Sequence, residues 1–230
     1  MGKRMENMCR LGTLLGLLCL MGLAAACSLG GQFPDPCDAN GSLLYDDFSG
    51  AQECGWRVYN QGGAVAEIDA EAGTLQISTS EPGSFRWTVP GRDFDDVIVT
   101  TQARQAGGPD NNAYGVICRY QNEDNYYVFL ISGDGYYAIG KYQTGDPQIT
   151  YLTGEEGYGY VFSDVINQGM GTNQLRAGCV GNELSLTVNG IPLVTVADPT
   201  FVRGDVGMGV GVLEPGTAVV QFDDFQVIAP

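Results

Sequence analysis

The sequence contains no histidine. Without an imidazole there is no Ser-His-Asp or Cys-His catalysis and no histidine-ligated metal site. Basic residues are also scarce: 11 Lys and Arg stand against 27 Asp and Glu, a formal net charge of −16. That balance disfavours nucleic acid and anionic surfaces as partners and leaves calcium or neutral sugars compatible. Long apolar runs are absent but for one, Leu11 to Ala26, whose 16 residues fall short of the roughly 20 needed to cross a bilayer as a helix. No stretch sustains a helical period.

The apolar run follows Lys3, Arg4 and Arg10 and ends in "AAAC". A positive segment, an apolar segment and small residues form an export signal, residues 1–26. The small residues before Cys27 resemble a lipoprotein signal, in which the cysteine is lipidated and becomes the new N-terminus. Leu23 lies four places before Cys27, with Ala24 at the place where such signals prefer leucine. Ala24 and Ala26 also fit the rule for ordinary secretion at the same bond. Either reading puts residues 27–230 outside the cytoplasm, and the lipid reading makes the membrane a partner through the anchor. Three basic residues and one acid precede Cys27, so the mature chain holds 8 Lys and Arg against 26 Asp and Glu, a net of −18.

Of seven cysteines, Cys9 and Cys19 leave with the signal and Cys27 is the candidate lipid acceptor. Cys37, Cys54, Cys118 and Cys179 remain. An even number in an exported chain argues for two disulfides, with three connectivities open. We expect Cys37–Cys54, closing a short loop, and Cys118–Cys179, tying two distant strands. The rival, zinc, lacks the close cysteine spacing of a knuckle.

Residues 27–42 are rich in Gly, Pro and Ser and read as a lipidated cysteine and tether. Residues 43–230 read as one all-β domain. Short alternating runs such as "TLQIST", "DDVIVTTQAR", "NYYVFLIS" and "ELSLTVN" are separated by Gly, Asn and Asp turns. Gly-Asp-Gly at 133–135 and Asn-Gly at 189–190 are hairpin signals. "FSDVINQG" and "DPTFVRG" are the places for a single helical turn. "YDDFSG" opens the domain and "QFDDFQV" closes it, as expected if the first and last strands pair. Many evenly spaced strands make a sandwich or barrel.

"DDFSG…GW", "GTLQI", "AYGVICRYQNEDNYYVFLISGDGYYAIGKY", "NQLRAGCVGNELSLTVNG" and "GDVGMGVG…VQFDDFQV" together resemble a concanavalin A-like jelly roll. That is the broad group of laminin-G-like, pentraxin-like and glucanase domains, and the resemblance covers residues 43–229. It implies two antiparallel sheets, a ligand face on the concave sheet, and neighbouring strands for Cys118 and Cys179. The layout is similar to bacterial lipoproteins of unknown role and, distantly, to the domain of 3-keto-disaccharide hydrolases. The implied role is non-catalytic binding at the cell surface, with carbohydrate or a cell-surface polymer the leading ligand class. A glycoside hydrolase and an adhesion module contacting proteins are the alternatives.

"EIDAE", Glu67 to Glu71, resembles the catalytic strand of laminarinases and lichenases. Here it comes early, eleven residues after Trp56, and "AGT" follows it. It reads as a solvated hairpin with its tip near Ala72 and Gly73. In hydrolase-like relatives an acid-containing strand lies where this chain has "YYVFLIS".

Alternation sorts the remaining candidates. Tyr127, Phe129 and Ile131 face the core, with Val116 and Cys118. Tyr126, Val128 and Leu130 face the other way, with Ile117 and Arg119. Tyr136, Ala138, Gly140 and Tyr142 share one face. Arg119, Tyr126, Tyr136 and Tyr142, joined by Arg86 and Trp87 of "SFRW", are the candidate ligand residues, since rings beside an arginine suit a sugar. "QFDDFQV" is similar to the last glucanase strand, where an aspartate holds structural calcium. This resemblance assigns Asp223 to that place, with Asp47 and Asp46 joining if the terminal strands pair.

Overall fold

The computed structural model describes residues 37–38, 41–50, 54–146, 148–155 and 159–230. The export signal, Cys27 and most of the tether lie outside the described residues. In chain order the strands are β1 (Leu44–Asp46), β2 (Tyr59–Gln61), β3 (Ala64–Asp69), β4 (Thr74–Thr79), β5 (Phe85–Thr88), β6 (Val97–Gly107), β7 (Asn112–Asn122) and β8 (Asn125–Ile131). They continue as β9 (Tyr136–Tyr142), β10 (Thr150–Tyr151), β11 (Val161–Phe162), β12 (Asn173–Val180), β13 (Glu183–Val188), β14 (Ile191–Ala197), β15 (Asp205–Val212) and β16 (Ala218–Ile228).

Two antiparallel sheets form a jelly-roll sandwich. The larger runs β14-β13-β12-β6-β16-β4-β3-β2 and the smaller runs β10-β9-β8-β7-β15-β5, with β11 beside β9. The terminal strands do pair: β1 lies antiparallel to β16, with Tyr45 opposite Gln226. β4 and β1 share one edge of β16 in tandem, on either side of Asp223 and Asp224. The two segments expected to give a turn of helix do not. Ser163–Gln168 closes on a turn, with Asn167 N–H bonded to the Asn173 side chain at 2.9 Å. Asp198–Arg203 runs without regular structure, held by the Tyr127 hydroxyl, which accepts the Phe201 N–H at 3.0 Å.

Period-two alternation fills the space between the sheets. Tyr127, Phe129 and Ile131 of β8 and Val206, Met208, Val210 and Val212 of β15 pack against Leu175, Ala177, Leu184 and Leu186 of the facing sheet. Each such side chain is almost fully buried, and full burial contributes about 1.5–3 kcal/mol for each Val, Ile, Leu, Met or Phe. β16 buries Ala218, Val220 and Phe222, then Phe225 and Val227. The change of parity follows from a bulge between Asp223 and Gln226, with Asp224 at φ +50°.

Cys37 is bonded to Cys54 and Cys118 to Cys179. Cys37 and Ser42, in the segment read as tether, are buried: Tyr45 N–H reaches Cys37 O at 2.6 Å and Leu43 N–H reaches Val227 O at 2.8 Å. Cys118 and Cys179 sit on β7 and β12 of different sheets, so their strands are neighbours across the core rather than within a sheet. Two such bonds belong to an oxidising, extracytoplasmic setting.

Candidate functional site

The outer face of the smaller sheet is where the alternation puts Tyr126, Val128 and Leu130, and the register agrees. Tyr126 lies opposite Tyr142, Val128 opposite Gly140 and Leu130 opposite Ala138. On the other flank Trp87 is opposite Gly209 and Phe85 opposite Gly211. The small residues of β9 and β15 leave room on this face, and aromatic rings lie beside them. A Cβ on Gly209 would come within 2.3 Å of the Phe85 ring, so this close approach needs glycine. Ile149 covers Gly140 in the same way, at 2.8 Å.

Five rings meet there. Tyr126 and Tyr142 stack with centroids 4.8 Å apart, and Trp87 lies 5.5 Å from Tyr126. Tyr120 is 5.6 Å from Tyr126 and 6.2 Å from Trp87, while Phe85 is 6.3 Å from Tyr142. Tyr126 forms the buried floor, and Phe85, Trp87, Tyr120 and Tyr142 remain half-buried around it. Burial, with Tyr151 adding to it, pushes the Tyr142 hydroxyl up to about 12; burial likewise raises Tyr126. Both hydroxyls stay protonated at neutral pH. Asp124 and Glu123, on the turn between β7 and β8, add their charge to the rise of the Tyr126 hydroxyl.

Arg119 does not belong to the face. It is 1% exposed, and its guanidinium donates to Phe201 O at 2.8 Å and to Asp96 Oδ1 at 2.9 Å. The cause is a bulge: the β7–β15 register shifts between Asp205 and Gly207, and Arg119 takes φ +53°. One extra residue re-aims every side chain beyond it, so Tyr120 occupies the outward place that unbroken alternation gives to Arg119. Tyr136 is 38% exposed but lies apart from the ring cluster, against Phe162. It lines a separate depression of about 240 Å³ with Asn111, Asp134 and Tyr160. Tyr120 and Phe85 were missed in the sequence. Alternation with Trp87 marks Phe85, whereas nothing in "ICRYQN" announces the bulge that turns Tyr120 outward.

Arg86 points away from the rings. It lines a cleft of about 430 Å³ between the β2–β3 edge and β5, with Arg57, Tyr59, Gln61, Ala64, Trp87 and Glu123. Its Nη2 meets Glu81 at 2.6 Å on the surface. Trp87 thus borders both the ring cluster and the cleft.

"EIDAE" stands on β3, in the other sheet. Asp69 Oδ1 accepts the N–H groups of Glu71 and Ala72 at 3.1 and 3.0 Å, which shapes the hairpin tip. Glu67 accepts from Gln76 across the pair at 3.0 Å, and both glutamates are exposed. Asp46 is committed to the core, accepting from Phe48 N–H and Trp56 Nε1–H at 2.8 and 2.9 Å. Asp47 is held low by the Ser49 hydroxyl and N–H, while burial and the charge of Asp224 and Asp47 raise Asp223. Asp224 accepts from Tyr45 and Gln102. No group of three metal-capable side chains is gathered among the described residues.

No family model matches the chain, and no curated protein matches it by sequence. Solved structures do match in shape. Carbohydrate-binding module CBM66 from Bacillus subtilis aligns at 14% identity with a TM-score of 0.58, covering 76% of this chain and 96% of that one. A GH16 protein of the Bacteroides ovatus mixed-linkage glucan locus aligns at 9% identity and a TM-score of 0.55, covering 81% and 100%. A protein of unknown function with a galectin-like fold, also from Bacillus subtilis, aligns at 11% and 0.51, covering 81% and 95%. At these identities the likeness is one of fold: the chain is a concanavalin A-like jelly roll.

Proposed function

We propose that this protein is an exported lipoprotein whose jelly roll binds carbohydrate without cleaving it. The ring cluster of Phe85, Trp87, Tyr120, Tyr126 and Tyr142 carries the reading. Half-buried rings offer a sugar an apolar face together with hydroxyl and indole donors, at low entropy cost. A retaining glycosidase needs two carboxyl groups about 5–5.5 Å apart at the scissile bond, and the one motif that resembles a catalytic strand, "EIDAE", stands on the other sheet from the rings. Glycan-acting and glycan-binding proteins among the fold neighbours support the ligand class by analogy. The anchor is Cys27 after "AAAC", which would hold the domain at the cell surface.

A glycan array probed with the mature protein tests the binding, run with calcium and with EDTA to separate a metal contribution at Asp47 and Asp223. Selective, saturable binding supports the reading; release of cleaved products from any bound glycan overturns its non-catalytic part. For the anchor, mass spectrometry of the mature N-terminus should find a diacylglyceryl cysteine at position 27. An unmodified N-terminus contradicts it.

A further inference from the structure

The mature chain has eight basic side chains against 26 acids, yet two arginines converge on one cleft. Arg57 and Arg86 both line the space between β2 and β5. The Arg57 guanidinium has no hydrogen-bond or ion-pair partner among the described residues. Arg86 Nε and the Tyr59 hydroxyl are buried and likewise make no hydrogen bond. Burial raises the Tyr59 hydroxyl, and the charges of Arg86 and Arg57 pull it back, so both guanidiniums act on that oxygen. Unmade hydrogen bonds at buried donors are costly and rare in folded proteins. Two in one cleft, beside an unpaired cation, mark a place built for an acceptor.

We propose that this cleft is a subsite for the carboxylate of an acidic sugar residue, a uronic acid, with Arg86 and Arg57 as its donors and Trp87 as the bordering ring. The proposal rests on the carbohydrate-binding reading and extends it to a ligand class. A guanidinium presents a planar fork that matches a carboxylate. Glu81 already occupies one prong of Arg86, at 2.6 Å, but both partners are well exposed, 36% and 58%. Exposed pairs of this kind are weak. A ligand carboxylate can therefore take the place of Glu81. In the proposed complex Arg86 turns toward the cleft and brings its buried Nε, unpartnered like the Tyr59 hydroxyl, to the ligand. Gln61 and Glu123 also line the cleft; Gln61 suits the hydroxyls of the sugar, and Glu123 is the like charge that the two arginines must outweigh. The acidic surface as a whole opposes an anion, but at physiological ionic strength that field is screened beyond about 8 Å, so the local balance is that of Arg57 and Arg86 against Glu81 and Glu123.

The test is calorimetric titration of the mature protein with oligomers of galacturonate, mannuronate and glucuronate, each beside its methyl ester. The ester keeps the shape and removes the charge. At least one acidic oligomer should bind roughly tenfold or more tightly than its ester, the size of one charge-assisted hydrogen bond. Arg57→Gln and Arg86→Gln should each erase that difference while melting like the parent; Arg57 is exposed, so its variant keeps the test open if Arg86→Gln fails to fold. Equal binding of acid and ester, or a preference that survives in Arg57→Gln, overturns the subsite. Binding of neutral glycans but of no uronate overturns the subsite and leaves the carbohydrate reading standing. Binding of no glycan of either kind overturns both.

Discussion

Arg119 shows how much one backbone angle decides. Placed on the ligand face by simple alternation, it is instead the largest fully buried side chain of the domain. Its two hydrogen bonds hold the Phe201 carbonyl and Asp96, and Asp96 Oδ1 also takes the Gly181 N–H at 3.0 Å. Arg119→Ala should therefore lower stability and spare binding. Because Asp96 is 45% exposed, the charge left behind is partly solvated, and a loss of about 2–3 kcal/mol in urea melts is expected, below the full cost of breaking a buried pair. Loss of glycan binding in the folded variant would return Arg119 to the site.

Asp205 gives a pH signature. Burial pushes its carboxyl up to about 6, against N–H bonds from Val206, Gly91 and Arg92 that lower it. A carboxyl with a raised folded value holds its proton longer in the native state, so this residue destabilises as pH rises from about 4 through 6. Relative to Asp205→Asn, the natural protein should lose stability across that window. Chemical denaturation at pH 4 and pH 7 checks it, and a difference independent of pH contradicts it.

At the scale of elements, the strands were legible because period two was unbroken over most of them. β8 and β9 follow alternation residue by residue, and their faces in the structure are those read from "NYYVFLIS" and "GYYAIGKY". The pairing of β1 with β16 was legible from the shared "DDF". Bulges were not legible, because they arise from the partner strand and from positive φ at residues other than glycine. Arg119 in β7 and Asp224 in β16 both do this, and each shifts a face by one. Gly209 and Gly211 of "DVGMGVGV" are the bed on which Phe85 lies. The β3–β4 hairpin carries an opposite lesson: a motif similar to a catalytic strand stands on the sheet away from the rings, with Asp69 shaping the turn and Glu67 bonded across the pair. Glu67→Gln and Glu71→Gln should leave binding unchanged and shift stability by no more than about 0.5 kcal/mol. Glycan cleavage that disappears in both variants would restore a hydrolytic role.

For the whole molecule, the central claim is that the outer face of the smaller sheet is where sugar binds. The chain supplies its own reporters, having two tryptophans. Trp56 is buried in the core, with its indole N–H on Asp46, and Trp87 borders the ring cluster. A ¹⁵N-edited NMR titration with the best ligand from the array therefore reads two indole signals. The Trp87 signal should move with ligand concentration and the Trp56 signal should stay. Trp87→Ala should then weaken binding by about 2 kcal/mol or more, roughly thirtyfold, as for a central aromatic anchor. Saturable binding that leaves the Trp87 signal unmoved would contradict the account.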